Sequence, residues 1–268
     1  MLNSFYIAYK KGIVYLCLFF IILISTFKSH AGNYQISITP VASYFDYKEF
    51  SDDSSVLNNE HGKLHGFNFL LGVHFLSKHT FQYEYSILSG RVKYDGFTQS
   101  YEGHKTQTDE MLTENELFYW HSPNNHQYSL GLSVAYAKWS RFIRPKNNVL
   151  GLEETYGWKK ISLNQSYQIA DIILIASLSR LIHAEVEVDL SEVNRGLLVV
   201  DMPDGNEITL TSGYKKNIAN GFSVISKAIF TWRYFERSGF SEAEGSAFLE
   251  PENEVFISAL ALEFEYEF

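Results

Sequence analysis

The last stretch of the chain constrains its fold more than any other feature. Phe256, Leu260, Leu262, Phe264, Tyr266 and Phe268 fall on one side of a two-residue period, with Ser258 among them. Val255, Ile257, Ala259, Ala261, Glu263, Glu265 and Glu267 fall on the other. A period of two is that of an extended strand with two different faces. Three carboxylates on the inner face of an ordinary sandwich would be stranded without partners. In a sheet closed on itself and immersed in lipid, the inner face is the polar one, and the pattern fits.

Other segments repeat the alternation. Phe67, Phe69, Leu71, Val73 and Phe75 share a face, as do Tyr128, Leu130, Leu132, Val134 and Tyr136, and Phe222, Val224, Ala228, Phe230, Trp232 and Tyr234. The spacing predicts ten strands near 34–47, 64–77, 79–94, 107–121, 126–142, 152–168, 171–189, 206–216, 221–237 and 253–268. Short connections alternate with longer polar ones at 48–63, 95–106, 143–151, 190–205 and 238–252, the asymmetry of a barrel with short turns at one end and loops at the other. Aromatic residues are 16% of the chain and prolines number 5, a composition suited to sheet. A soluble sandwich also alternates, but its strands typically run ~5–6 residues, whereas a strand that spans a bilayer needs ~9–11. The lengths here favour the second.

The N-terminus reads as an export signal. Lys10 and Lys11 precede an apolar run from Gly12 to Phe27, and Ser29-His30-Ala31 offers small residues where a signal peptidase reads. The expected organisation is a signal peptide at 1–31 and a barrel at 32–268. Cleavage would remove Lys10, Lys11 and Lys28 from the 22 basic side chains, leaving 19 against 31 acidic ones and a formal charge of −12. That balance argues against a nucleic-acid partner. Cys17 lies in the same segment, so the remaining chain has neither a disulfide nor a cysteine nucleophile.

With Leu260-Ala261-Leu262-Glu263-Phe264-Glu265-Tyr266-Glu267-Phe268 at its end, the chain resembles the bacterial outer-membrane β-barrel proteins as a class. The resemblance covers nearly all of the chain after the signal. It implies an all-β fold, an antiparallel transmembrane barrel of about ten strands, located in the cell outer membrane. It also implies that Phe264, Tyr266 and Phe268 form the signal read by the outer-membrane assembly machinery. Monomeric assembly is expected.

Candidate functional residues fall into three groups. The expected lumen carries Glu84, Glu114, Glu116, Glu263, Glu265 and Glu267 against Lys160, Lys227, Arg233 and Arg237, a set that would pair and fill a narrow interior or line an ion path. Bulky Phe118, Trp120, Trp139, Tyr156 and Trp158 face the same way, so no large diffusion pore is expected. At the outer end of the seventh strand, His183 and Glu185 share a face with Glu187, an arrangement that can orient a general base. It is similar to the omptin proteases, which are expected to set an Asp-His pair opposite two acidic residues. Here the order His183-Ala184-Glu185 is reversed, and Asp95 has no second Asp two residues away. No diagnostic pair for a lipid A enzyme is visible. Arg141, Arg144 and Lys146 form a basic group near the third long loop, suited to lipopolysaccharide phosphates.

Leu197-Leu198-Val199-Val200 reads as one arm of a hairpin above the membrane, available to a partner or to the barrel rim. Arg180 and Lys159 fall among lipid-facing residues, which requires a bulge or a position at the interface. His61 with His65 and His74 with His79 lack the added ligands of a zinc site, so neither a metal nor another cofactor is expected. The residues favour a structural or interaction barrel whose loops meet a partner or lipopolysaccharide. The alternatives are an outer-membrane hydrolase, omptin-like or acting on lipid A, and a small gated porin. Catalysis requires a positioned nucleophile that the sequence does not supply.

Overall fold

The computed structural model describes residues 33–75, 78–97, 103–124, 127–147, 149–190, 196–243 and 246–268; the expected signal peptide at 1–31 lies outside them. Among the described residues the elements are β1 (Asn33–Phe50), β2 (Val56–Phe75), β3 (His79–Phe97), β4 (Gly103–Asn124), β5 (Tyr128–Ile143), β6 (Leu152–Ile169), β7 (Ile172–Asp189), β8 (Leu197–Met202), β9 (Gly205–Ala219), β10 (Phe222–Phe235), β11 (Ser241–Ala243), β12 (Ser246–Phe248) and β13 (Glu252–Glu267).

Each long strand pairs with its sequence neighbour, and β1 pairs antiparallel with β13 to close the barrel, with Gln35 opposite Glu267 and Phe50 opposite Glu252. Ten strands form the wall. The eleventh, β8, pairs with the outer half of β7 while β9 pairs with the inner half, Ala184 lying opposite Met202 and Leu181 opposite Gly205. The β7–β8 ribbon therefore rises above the wall. β11 and β12 form a separate small hairpin beside it.

The alternation decides which way each side chain points. Leu132, Leu163, Leu178 and Leu260 lie on the outer surface at 55%, 65%, 59% and 70% exposure, a surface that would invite aggregation in water and is the natural one against lipid. Inside, Gly131 opposite Trp120 leaves room for the indole: a Cβ there would lie 2.7 Å from the ring. At the β9–β10 turn Gly221 takes φ +73°, where a glycine is unstrained, and the Glu267 carbonyl closes in behind it.

The expected strands are all present, but several start earlier. β2 begins at Val56 rather than 64, and β4 at Gly103 rather than 107. Above the apolar belt, strands meet water outside and charge inside, so both faces are polar and the two-residue signal fades. The misfit of Lys159 and Arg180 has both anticipated causes. The β6–β7 register shifts between Gly157 and Lys159, and His183 adopts φ 51° opposite that shift. Arg180 reaches up to the Asn206 Oδ1 at 3.0 Å and lies 3.6 Å from Asp204.

Candidate functional site

The lumen is filled in layers. Nearest the short turns, Lys215 contacts Glu265 at 2.6 Å and Glu267 at 3.6 Å, and the Gln35 amide donates to Glu265 at 2.6 Å. The Trp120 indole N–H donates to Gln82, which donates in turn to Gln35.

The next layer is built around Lys160, whose Nζ lies 2.7, 3.1 and 3.4 Å from Glu114, Glu116 and Glu207. Lys160 stands on β6 and its first two partners on β4, so its chain must pass over β5. Ala135 occupies the position between Glu116 and Lys160 in register, and Ala137 that beside Glu114. Their methyl groups leave the path open. On β7 the small Ser179 stands opposite the β9 carboxylate Glu207, one inward-facing pair below the Lys160–Leu181 pair. Arg233 donates to Glu207 from Nε at 2.8 Å and lies over the Trp158 ring at 4.4 Å. Lys227 pairs with Glu263, and Glu84 accepts from Asn68 at 3.1 Å. Nine of the ten charged residues expected in the lumen thus face the interior, Arg237 being the exception, and Glu207, Lys215 and Gln35 join them.

Above this layer Phe45, Leu64, Trp158, Leu181, Phe235 and Val255 close the bore with apolar volume. The outermost layer is centred on Arg141. Its side chain is wholly buried, stacked over Tyr47 at 4.4 Å and beside Trp139 at 5.3 Å. Its Nη1 donates to Tyr47 at 3.1 Å, Glu49 at 3.2 Å and Tyr156 at 3.0 Å, and lies 2.9 Å from Glu154; its Nη2 donates to Glu60. In register Arg141 stands between Glu110 on β4 and Glu154 on β6, while Glu49 and Glu60 reach it from across the bore. Glu110 accepts from the Trp139 indole, and Tyr156 donates to Glu250 at 2.6 Å. Among the described residues five carboxylates gather here, and Arg141, paired with Glu49, Glu60 and Glu154, is the cation among them.

Glu250 lies in the loop before β13. Burial, then the neighbouring Glu49 and Glu154 carboxylates, push its carboxyl well above the ordinary value of 4.5. A carboxyl whose folded pKa is raised stabilises docking while protonated and loses that contribution as pH rises through its folded pKa. The loop carrying Glu250 is therefore expected to become more protease-sensitive as pH rises above the ordinary carboxylate range. Glu250→Gln should flatten that dependence, and limited proteolysis across pH followed by mass mapping checks it. An unchanged pH profile in the variant would contradict the assignment.

The structure separates the basic group expected to hold lipopolysaccharide. Arg141 points inward, because it shares the face of Trp139, and is closed off from any lipid; that part of the expectation is corrected. Arg144 and Lys146 stay outside, Arg144 gripping Asp109 at 2.6 Å and the Lys146 amine donating to the Lys105 carbonyl at 2.8 Å. Arg237 is not in the lumen either: it lies past β10 and pairs with Asp52 of the β1–β2 loop. His183 and Glu185 do share a face, but it is the outer one, away from the bore. Of the apolar loop run, Leu198 and Val200 pack onto the rim while Leu197 and Val199 remain exposed at 62% and 47%. Phe264, Tyr266 and Phe268 face outward, Phe268 stacking on Tyr34 at 5.6 Å. Among the described residues no group of three or more His, Cys, Asp or Glu is placed to hold a metal ion.

This closed ten-stranded wall matches solved structures. The outer-membrane protease OmpT from Escherichia coli superposes with a TM-score of 0.51 at 11% identity, over 88% of this chain and 96% of OmpT. The fold is that of a bacterial outer-membrane β-barrel. The translocator domain of the autotransporter NalP from Neisseria meningitidis gives 0.48 at 7% identity, covering 96% of each chain. OprG from Pseudomonas aeruginosa gives 0.37 at 11%, over 89% of this chain and 97% of OprG. No protein-family model and no curated sequence matches the chain. At these identities the likeness concerns the fold alone.

Proposed function

We propose that this barrel is a surface anchor and interaction protein of the outer membrane, delivered by a cleaved signal peptide, with its long loops outward and its termini toward the periplasm. The observation that carries this reading is the filled bore. Ionic layers, an apolar layer and the Arg141 cluster occupy it in succession, so the barrel interior serves as a scaffold and the outer loops as the contact surface. Lys146 and the half-buried Arg144, which also grips Asp109, are the cations suited to lipopolysaccharide phosphates, and Leu197 and Val199 the exposed apolar residues suited to a protein partner. Among the described residues no hydrogen-bonded nucleophile accompanies His183 and Glu185 on the outer face, which favours binding over hydrolysis.

The reading is tested by conductance. Purified protein in planar bilayers is expected to give no stable high-conductance channel, because a barrel near eight strands is just filled by side chains and two more strands add little room. Stable large channels in the wild-type protein would overturn it.

A further inference from the structure

Above the apolar belt the outward charges are unevenly distributed, with an excess of bases on β2 to β5 and of acids on β6 to β8. On β2 to β5 lie Lys63, Arg91, Lys93 and Lys138, followed by Arg144. Arg91 and Arg144 share one acid, Asp109, at 2.7 and 2.6 Å, and Lys63, Lys93 and Lys138 have no ion-pair partner among the described residues. On the flank formed by β6 to β8 the outward acidic side chains are Glu153, Glu185, Glu187 and Asp201, without an ion pair among the described residues, and they outnumber the outward cations Lys159 and Arg180, the latter held 3.6 Å from Asp204. Glu185 stands directly opposite Asp201 in the β7–β8 ladder. Like charges facing each other across strands weaken the pair unless an outside cation covers them.

The two flanks match in more than sign. Each sets apolar side chains among its charges, Leu197 and Val199 at 62% and 47% exposure on the acidic flank and Met111 and Phe142 at 44% and 37% on the basic one. Two copies in one bilayer share orientation and depth, because the apolar belt fixes both. Their collars then meet at the same height, and only rotation about the membrane normal remains to be set.

We infer that a second copy of this chain covers the acidic flank: β7 and β8 of one barrel dock against β2 to β5 of the next. The argument is charge complementarity at a shared depth. The contact is heterologous, using different patches on the two copies, so it propagates into rows or closes into rings. It replaces the monomer expected from sequence. The inference rests on the membrane-embedded reading above.

The test uses the mature chain folded in lipopolysaccharide-free detergent micelles, joined by a zero-length amine–carboxyl cross-linker. Every sample is first checked for heat-modifiable gel mobility. A chain that fails this check speaks against the membrane reading, whereas one that passes it tests the contact alone. Cross-links from Lys63 or Lys93 to Glu185 or Glu187 are expected at about 0.02 M salt. They should fall about tenfold at about 0.5 M, where screening shortens the reach of exposed charges. The double variants Glu185→Lys/Glu187→Lys and Arg91→Glu/Lys93→Glu should each lose the cross-link, and an equal mixture of the two should regain it. If either double variant fails to fold, the single changes Glu187→Lys and Lys93→Glu take its place. Parent protein that stays monomeric at low salt would overturn the inference, as would association that survives both reversals. Association that added lipopolysaccharide displaces would assign the basic flank to phosphate instead and overturn it equally.

Discussion

Arg141→Met is expected to destabilise the folded barrel by about 3–5 kcal/mol, the range for removing one partner from a buried ionic group. The guanidinium joins β1, β2, β5 and β6 through side chains at the long-loop end, and without it Glu49, Glu60 and Glu154 would face one another unneutralised in a buried site. Methionine keeps the aliphatic stem but not the guanidinium, so the change removes the charge, its hydrogen bonds and its stacking on Tyr47 and Trp139 together. Arg141→Lys should fall between the two, since an ammonium keeps the charge but cannot fork toward Glu60 and Glu154 at once. Adding Glu60→Gln to Arg141→Met should recover part of the loss. The temperature or urea concentration at which heat-modifiable mobility is lost measures all four proteins. A shift under about 0.5 kcal/mol for Arg141→Met would place the residue among ordinary surface positions and contradict the buried cluster.

The second large effect concerns assembly. Deleting Phe268 is expected to lower the folded barrel recovered in the outer membrane several-fold. Two contributions must be separated. The Phe268 N–H donates to the Tyr34 carbonyl and the Tyr34 N–H to the Phe268 carbonyl, each at 2.9 Å, so the last residue helps close the seam between β1 and β13. Its ring, stacked on Tyr34 and on Tyr266, is the part an assembly machine would read. Phe268→Ala keeps the backbone pair and removes the ring. It should lower assembly in cells nearly as much as the deletion while folding in detergent at the parent's yield. Normal assembly of Phe268→Ala in cells would confine the role of the residue to the seam.

The strands were legible because lipid outside and charge inside leave opposite marks on alternate residues. That mark is strong from Phe67 to Phe75 and from Leu260 to Phe268, and the assignments there stand. It fades above the belt, so the outer part of β2, from Val56 to Lys63, carries no two-residue signal and reads as loop. Arg141 was readable in principle. Trp139 is read as lumenal, and two residues on along a strand the same face returns, so the parity of 126–142 places Arg141 inside; grouping it with Arg144 and Lys146 of the adjoining loop obscures this. Glu207 was readable by the same parity against Ile208 and Leu210. Glu49, Glu60 and Glu250 were not, because their convergence on Arg141 depends on closure across the bore, with sequence separations of 92 and 81 residues for the first two. Nor was the kink at His183. Neither glycine nor proline marks it in β7, and the residue holds a left-handed conformation at the bulge where β7 carries one residue more than β6 between Ile182 and Glu185.

Fractionation of cells expressing the chain, followed by gel electrophoresis of heated and unheated samples, tests the central claim most directly. A closed transmembrane barrel in the outer membrane predicts recovery in the outer-membrane fraction and a folded band that migrates differently until the sample is boiled. Recovery in the soluble periplasm, with one mobility before and after heating, would contradict it.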